Sequence, residues 1–274
     1  MTIIEQSLAW AESIVGRVRP TPIAAGSTGT VLALDAQGGR LVLKLYRPDP
    51  EELDCAWREQ AILDLLRETL MPVPRVLAID RDGSQAGWPA LLMTHVRGRK
   101  RIRPRETGPW LRELAALAAR IHSLPIEEGS LPRYGLWGLN DPLGKPGWWR
   151  DAGTWRAAVE IFQGPMPEEP WCFIHRDFHP ANVLWQNGRV SGVVDWLHGC
   201  WGPPSADLGH CRLNLWLDNG PAAARRLLEM YGAADYNHYW DIADALSWNV
   251  DQKRDGVRRA RRWESFITAA IRAG

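Results

Sequence analysis

Two acidic residues and an asparagine near the middle of the chain are of types that can activate a hydroxyl group and bind a metal ion. Asp177 precedes Asn182 by five positions, and Asp195 follows thirteen positions later at the end of an apolar run. A carboxylate can orient a hydroxyl group and accept its proton, and oxygen ligands are those that magnesium prefers. These residues are therefore the first candidates for chemistry.

A lysine inside an apolar strand is a second candidate. Lys44 lies within the run Leu41–Leu45, where an isolated ammonium group is costly unless it contacts an anion. Glu59 follows fifteen positions later in a segment of helical pattern. A simpler interpretation stays open, in which Lys44 points to solvent from an alternating strand and Glu59 lies on an exposed helix face. The first interpretation predicts a buried ion pair.

The segment from His175 to Trp185, followed by Val193–Trp196, resembles the catalytic and metal-binding loops of protein-kinase-like enzymes. Its form, His-x-Asp-Phe-His-Pro-x-Asn-Val-Leu-Trp, is similar to that of the aminoglycoside phosphotransferase and choline kinase-like family. The resemblance implies that Asp177 is the catalytic base and that Asn182 and Asp195 bind Mg²⁺. It also implies ATP, or alternatively GTP, as the phosphate donor.

The same resemblance places a nucleotide site in the first part of the chain. It makes Lys44 the ligand of the α- and β-phosphates and Glu59 the partner of that lysine. A Gly/Ser/Thr loop at 26–31 would cover the phosphates. Further nucleotide contacts are expected from six residues on this loop, on the hinge and after the catalytic loop: Ser27, Thr28, Met93, Thr94, Val96 and Leu184.

The family pattern also has a structural aspartate, which Asp207 resembles, and this residue would hydrogen-bond the backbone of the catalytic loop. Only twelve positions separate Asp195 from Asp207, which leaves no room for a protein-kinase activation segment. A protein substrate is therefore disfavoured. Trp196 stands where kinases usually have phenylalanine after the metal-binding aspartate.

Hydrophobic periodicity predicts the elements that position these residues. In the first part we expect a helix over 3–15, a hairpin of strands 30–34 and 40–46, a helix from Pro50 to about Leu70, and strands 73–79 and 88–95. In the second part we expect a helix over 107–123, a loop over 124–153, a helix over 155–162, a hairpin over 183–195, and mostly helical sequence after it.

These elements predict an α+β fold with two lobes of the protein-kinase-like type. Residues 1–95 would form a small N-terminal lobe with an antiparallel sheet, which binds the nucleotide. Residues 96–105 would be the hinge. Residues 106–274 would form a larger, mainly helical lobe, which carries the catalytic loop and the acceptor site.

Composition limits the partners of the protein. The 33 basic and 32 acidic residues among 274 nearly cancel, so neither nucleic acid nor a membrane surface is an expected partner. The four cysteines include no Cys-x-x-Cys pair, which favours a reducing cytoplasm. The first residues lack a signal-peptide pattern, and no run of about 18 apolar residues predicts a membrane span. The oligomeric state stays open.

Several other side chains have a structural interpretation beside a functional one. The 16 tryptophans fit either a Trp-rich core or an aromatic pocket for an amphipathic or quaternary-ammonium ligand. Four residues match no common zinc spacing and are expected to be structural: His198, Cys200, His210 and Cys211. His179 is expected to be structural too, although it is the more plausible neighbour of the active site.

The sequence thus predicts an ATP:alcohol phosphotransferase for a hydroxyl of a small molecule, such as an antibiotic, sugar or amino alcohol. The alternative is a nucleotide-binding pseudokinase without turnover, which is disfavoured because each catalytic position is filled. The charge of the acceptor stays open. Basic runs at 97–105 and 253–262 oppose a set of acidic residues: Asp218, Glu229, Asp235, Asp241, Asp244 and Asp251.

Overall fold

The computed structural model describes residues 1–25, 29–48, 54–137, 143–247 and 256–274. The chain divides into two compact units. The first comprises Met1–Arg99, Leu184–Gln186 and Ser191–His198, and the second comprises Lys100–Val183, Asn187–Val190 and Gly199–Gly274. None of the helices in these described ranges is long and apolar enough to cross a membrane.

A five-stranded antiparallel sheet is the framework of the first unit, with the strand order β1-β2-β3-β5-β4. Its elements are α1 (Ile3–Val15), β1 (Val18–Ala25), β2 (Gly29–Ala36), β3 (Gly39–Tyr46), α2 (Cys55–Arg67), β4 (Val76–Asp80) and β5 (Ala90–Thr94). The predicted α+β class is confirmed.

Helix α1 begins where the sequence predicts, because a reciprocal capping box closes its first turn. The Thr2 hydroxyl accepts from the Glu5 backbone amide, and the Glu5 carboxylate accepts from the Thr2 amide. Trp10 and Ala11 on the apolar face are buried in a core that also contains Leu32 and Leu34 of β2. The helix therefore covers one face of the sheet.

Two parts of this unit differ from the sequence prediction. Strand β1 was not predicted because Pro20 and Pro22 weaken a strand pattern, but an edge position such as that of β1 tolerates proline. Helix α2 ends at Arg67 rather than near Leu70, because the backbone and hydroxyl of Thr69 both bond the Leu66 carbonyl. Its predicted beginning at residue 50 lies outside the described residues.

The hairpin predicted after the expected catalytic loop is confirmed. Strands β8 (Val183–Gln186) and β9 (Arg189–Val193) flank Asn187 and Gly188, whose φ angles are 51° and 80°. An Asn-Gly pair with two positive φ angles is the preferred two-residue hairpin turn. Strands pair here in the order β6-β8-β9, where β6 is Arg99–Lys100.

Helices dominate the second unit, as predicted. Its elements are α3 (Thr107–His122), α4 (Ala152–Gln163), β7 (Cys172–Ile174), β10 (Cys200–Gly202), α5 (Pro204–Asn219), α6 (Pro221–Tyr231), α7 (Tyr239–Ser247) and α8 (Val257–Ala273). Trp149, Trp155 and Trp263 contact one another in its core, at ring-centroid distances of 5.1 to 6.4 Å. Many tryptophans therefore build the core rather than a ligand pocket.

Strands β7 and β10 were not predicted. They pair antiparallel over three residues each, a length at which alternation cannot be distinguished from loop sequence. Close packing fixes them, since a Cβ atom on Gly202 would lie 2.7 Å from the Tyr134 Cβ atom. The described sequence after Asp195 is mostly helical, as expected, apart from the strand at 200–202.

Candidate active site

Lys44 of the first unit lies in a buried ion pair. Its side chain is 9% exposed, and Nζ donates to Glu59 Oε2 at 2.5 Å and to Asp195 Oδ1 at 2.7 Å. Burial alone would lower the pKa of Lys44, but the charges of Glu59 and Asp195 raise it well above its ordinary value. The lysine is thus a permanent buried cation, and the interpretation as an outward-pointing strand residue is wrong.

Glu59 connects three parts of the first unit. Its Oε2 atom accepts from the Tyr46 hydroxyl at 2.6 Å as well as from Lys44, and Oε1 accepts from the Trp196 amide at 3.2 Å. The glutamate is 2% exposed. It therefore holds Lys44 and the backbone that follows Asp195 in one fixed arrangement.

Asp195 has a backbone conformation that few aspartates adopt. Its φ is 68°, in the left-handed region, two residues after the end of β9 at Val193. The side chain is 40% exposed, although one oxygen bonds Lys44. Such strain persists where the surroundings fix a side chain for a function. An exposed carboxylate in this position fits a metal ligand.

Asp177 of the second unit is fixed by the asparagine that the sequence places five positions later. The short 3₁₀ turn Pro180–Asn182 directs the Asn182 amide back, and Nδ2 donates to the Asp177 carbonyl at 3.0 Å and to Oδ2 at 2.8 Å. Because the amide nitrogen is committed to Asp177, Oδ1 is the Asn182 atom that a metal ion can bind. The spacing thus has a direct structural cause.

A histidine that sequence reasoning dismissed is the second partner of Asp177. His210 Nε2 lies 3.0 Å from Asp177 Oδ1, and Nδ1 lies 2.8 Å from Asp244 Oδ1. Burial alone would lower the pKa of His210, but Asp244 and Asp177 raise it well above its ordinary value. For Asp177, burial opposes ionisation, yet the hydrogen bond and charge of His210 keep its pKa well below the usual range. Asp177 is therefore a carboxylate beside an imidazolium.

The sequence carried one signal for this contact. His210 follows Asp207 by three positions, which is one helical turn on α5. Asp207 accepts from the His175 and Arg176 amides at 2.9 and 2.6 Å, so it holds the catalytic loop as expected. A residue one turn after Asp207 on the same face is thereby directed towards Asp177.

The ligand atoms of Asp177, His179 and His210 lie within 4.8 Å of one another. Burial lowers the pKa of His179 to about 4, so this ring is neutral. His210 uses both ring nitrogens on carboxylates and is charged, which is the wrong state for a metal ligand. The group fits a hydrogen-bonded base better than a metal site.

The predicted nucleotide-contact residues divide into three groups. Met93 is buried in β5 opposite Val42, and Thr94 ends that strand with its hydroxyl accepting from the Arg75 amide at 2.9 Å. Val96 and Leu184 both lie beside Gly192, since a Cβ atom on this glycine would meet both side chains. Ser27 and Thr28 lie outside the described residues.

The chain is similar to known phosphotransferases. The model of the phosphotransferase enzyme family matches residues 19–249. A homoserine kinase of Pseudomonas aeruginosa (strain UCBPP-PA14) is 31% identical over 234 residues, which cover 79% of this chain and 72% of that protein. A homoserine kinase of Methylocella silvestris is 29% identical over 218 residues, covering 74% and 66%.

Solved structures share the fold at low sequence identity. The aminoglycoside phosphotransferase APH(4)-Ia has a TM-score of 0.73 and 16% identity, covering 98% of this chain and 99% of that chain. A thermostable mutant of it, in a ternary complex with AMP-PNP and hygromycin B, also gives 0.73, with 17% identity and coverage of 97% and 98%. The predicted kinase-like fold is confirmed.

Proposed function

The chain belongs to the phosphotransferase enzyme family, and we propose that Asp177 is the residue that orients and deprotonates the acceptor hydroxyl in its reaction. The protein is an ATP-dependent phosphotransferase that acts on a small-molecule alcohol. The observation that carries the proposal is the fixed Asp177 carboxylate, which lies 2.8 Å from Asn182 Nδ2 and 3.0 Å from His210 Nε2.

The surroundings of Asp177 suit a loose transition state. Each carboxylate oxygen receives one hydrogen bond from the protein and has capacity for another, so the acceptor hydroxyl can donate to it. The strongly lowered pKa makes Asp177 a weak base, which fits proton transfer that follows most of the bond breaking. Its main contribution is then to orient the hydroxyl.

Lys44 supplies the positive charge for the nucleotide. We propose that its ammonium group contacts the α- and β-phosphates while Glu59 and Asp195 keep it in place. A buried ammonium with two carboxylate neighbours stays charged, so it provides a fixed cation for phosphate oxygens. The same proposal assigns nucleotide contacts to Ser27, Thr28, Met93, Thr94, Val96 and Leu184.

The oxygen donors fit magnesium. Asn182 offers Oδ1 and Asp195 offers an exposed carboxylate, and both are hard ligands. When bound, Mg²⁺ would neutralise charge on the transferred phosphoryl group. We propose ATP as the donor, because related structures are complexes with ATP, ADP or AMP-PNP.

We also propose residues 1–95 as the nucleotide half, 96–105 as the hinge and 106–274 as the acceptor half.

The acceptor we propose is a small metabolite that carries an amino group in addition to its hydroxyl group. Relatives are named homoserine kinase, and a related structure contains hygromycin B. Homoserine and hygromycin B both carry amino and hydroxyl groups, which supports this chemistry. A pseudokinase without turnover is not favoured, because every catalytic position is filled. Action in the cytoplasm stays a prediction.

A panel of acceptors tests the proposal. ADP release would be measured with ATP and Mg²⁺ against L-homoserine, hygromycin B, streptomycin, choline and a simple sugar. We expect acceptor-dependent release that Asp177→Asn reduces by about 100-fold or more, the scale of a positioned general base. Asp235→Asn is the matched control, because this exposed aspartate lies outside the site. No release with any acceptor, or full activity of D177N, would overturn the assignment.

A further inference from the structure

His179 places a polar ring beside Asp177 in the second unit. It directly precedes the 3₁₀ turn Pro180–Asn182, and its carbonyl accepts from the Asn182 amide at 3.0 Å. The turn that brings Asn182 to Asp177 therefore also holds His179 next to the same carboxylate. His179 Nε2 lies 3.7 Å from Asp177 Oδ1. This separation is too long for a direct hydrogen bond between the two side chains.

The His179 ring is mostly buried, yet its nitrogens are not used by the protein. The side chain is 20% exposed, and the ring meets that of His210 edge to face at a centroid distance of 5.4 Å. Neither ring nitrogen has a hydrogen-bond partner among the described residues. A polar atom in such surroundings is costly unless another group bonds it. The Asp177 side chain is 22% exposed, so a substrate can reach both groups from solvent.

The surroundings of the ring keep it neutral and favour one tautomer. Burial lowers the pKa of His179 to about 4, although the charge of Asp177 opposes this shift. The positive charges of His210 and Lys100 act in the same direction as burial. A neutral imidazole carries a proton on one nitrogen only. We place this proton on Nε2, because a lone pair there would face the negative Oδ1 atom of Asp177.

A hydroxyl group fits between these two side chains. It has one proton to donate and two lone pairs that accept hydrogen bonds. Two atoms that lie 3.7 Å apart can both contact one oxygen at hydrogen-bond distances of about 2.8 Å. The anionic Asp177 carboxylate is the acceptor for the hydroxyl proton, and the N–H group of His179 is the donor to one lone pair. The second lone pair is then the one that faces the phosphorus atom.

We propose that His179 donates a hydrogen bond from Nε2 to the acceptor hydroxyl oxygen while Asp177 accepts the proton of that hydroxyl. The remaining lone pair forms the bond to the γ-phosphorus, the bond from this phosphorus to the ADP oxygen breaks, and the proton passes to Asp177. A donor to the attacking oxygen costs little reactivity, because bond formation is slight in a loose transition state. Its benefit is the orientation of the hydroxyl by two fixed groups. This inference rests on the proposed function and adds a second catalytic residue to its site.

Three substitutions of His179 separate this role from packing. The side-chain nitrogen of glutamine is as many bonds from Cα as Nε2 of histidine, whereas that of asparagine corresponds to Nδ1. Phenylalanine keeps an aromatic ring against His210 and has no polar atom. We expect His179→Gln to retain kcat/KM within about 5-fold of the wild type. His179→Phe and His179→Asn should lose about 10- to 100-fold, the scale of an unmade hydrogen bond at an oriented group.

Values of kcat/KM would be measured with ATP, Mg²⁺ and the best acceptor of the panel, beside the Kd for ATP and the midpoint of thermal unfolding of each variant. The Kd for ATP should stay near the wild-type value, because His179 contacts only the acceptor in this proposal. His238→Phe is the matched control, since His238 lies 2.8 Å from Asp241 and has no contact with Asp177 among the described residues. It should change the midpoint and leave kcat/KM unchanged. If His179→Phe does not fold, the comparison of the glutamine and asparagine variants still decides.

The rank order of the variants distinguishes the two roles of the ring. A role in packing alone predicts that His179→Phe is the most active variant, because it keeps the contact with His210, and that the two amide variants are equally impaired. That order, equal losses in all three variants, or wild-type activity of His179→Phe would overturn the inference while the kinase assignment stands. Absence of ADP release by the wild type with every acceptor would instead overturn the proposed function.

Discussion

We expect His210 to increase the rate of phosphoryl transfer through its contact with the Asp177 carboxylate. The perturbation is His210→Gln, which removes the positive charge and keeps a side chain that can donate one hydrogen bond. Asp177 and Asp244 then lose the cation that lies between them, at 3.0 and 2.8 Å from their Oδ1 atoms. Their mutual repulsion is no longer compensated.

The magnitude follows from the contacts. A hydrogen bond to a charged group contributes about 1.5 to 3 kcal/mol. If the contact orients Asp177 in the transition state, kcat should fall by about 10- to 150-fold. The variant should also lose stability, by about 3 to 5 kcal/mol, because a fully buried ion pair is broken from one side. ATP affinity should not change, because Lys44 and Glu59 have separate contacts.

The assay measures three quantities on the same preparation: the midpoint of thermal unfolding, the Kd for ATP by calorimetry, and kcat for the best acceptor below that midpoint. His238→Gln is the matched control, since His238 also lies 2.8 Å from an aspartate, Asp241, and has no contact with Asp177 among the described residues. It should change stability and leave kcat near the wild-type value. A folded H210Q enzyme with wild-type kcat would refute the reasoning.

Three further outcomes are expected. Lys44→Ala should reduce the increase in melting temperature that ATP with Mg²⁺ causes, because the ligand stabilises only a site that binds it; an unchanged increase would remove Lys44 from that site. Asp195→Asn should largely abolish turnover across a magnesium titration while the fold persists, and full activity would exclude the metal role. Asp241 is buried against Arg212, and although burial opposes ionisation, its bonds from His238 and Arg212 lower its pKa. Because the pKa of Asp241 is lower in the folded than in the unfolded state, where it is about 4, the ionised carboxylate stabilises the fold at pH values above 4. This stabilisation is lost as the pH falls through the pKa of the folded state. The unfolding midpoint should therefore drop in acid more for the wild type than for Asp241→Asn.

The sequence predicted those parts of the site in which local spacing determines the contact. Asn182 reaches Asp177 through one short turn, so the five-residue interval alone predicts that the two side chains lie close together. Lys44 was predictable because a charge inside an apolar strand has few acceptable environments, and the ion pair with Glu59 satisfies it. The long helices α1 and α3 were predictable from their apolar faces for the same local reason.

The missed parts depend on contacts between distant segments. His210 lies 34 positions before Asp244, and no periodic pattern marks that two helices will bring these residues together. The acidic residues of the last third looked alike in sequence, yet Asp241 neutralises Arg212, Asp244 bonds His210, and Asp218 pairs with Arg103. Tertiary packing alone distinguishes a structural acid from one at the site.

Helix α7 shows how the fold connects these two roles. Asp241 and Asp244 are three positions apart, so both project from the same side of the helix towards α5. On α5, the Asp241 carboxylate contacts the buried Arg212, and the Asp244 carboxylate contacts His210, which precedes Arg212 by two positions. A shift of α7 along α5 would leave both cations without partners at once, which is costly in a buried setting. The structural ion pair therefore fixes the register in which Asp244 can hold His210, and through it Asp177, in the geometry that the proposed reaction requires.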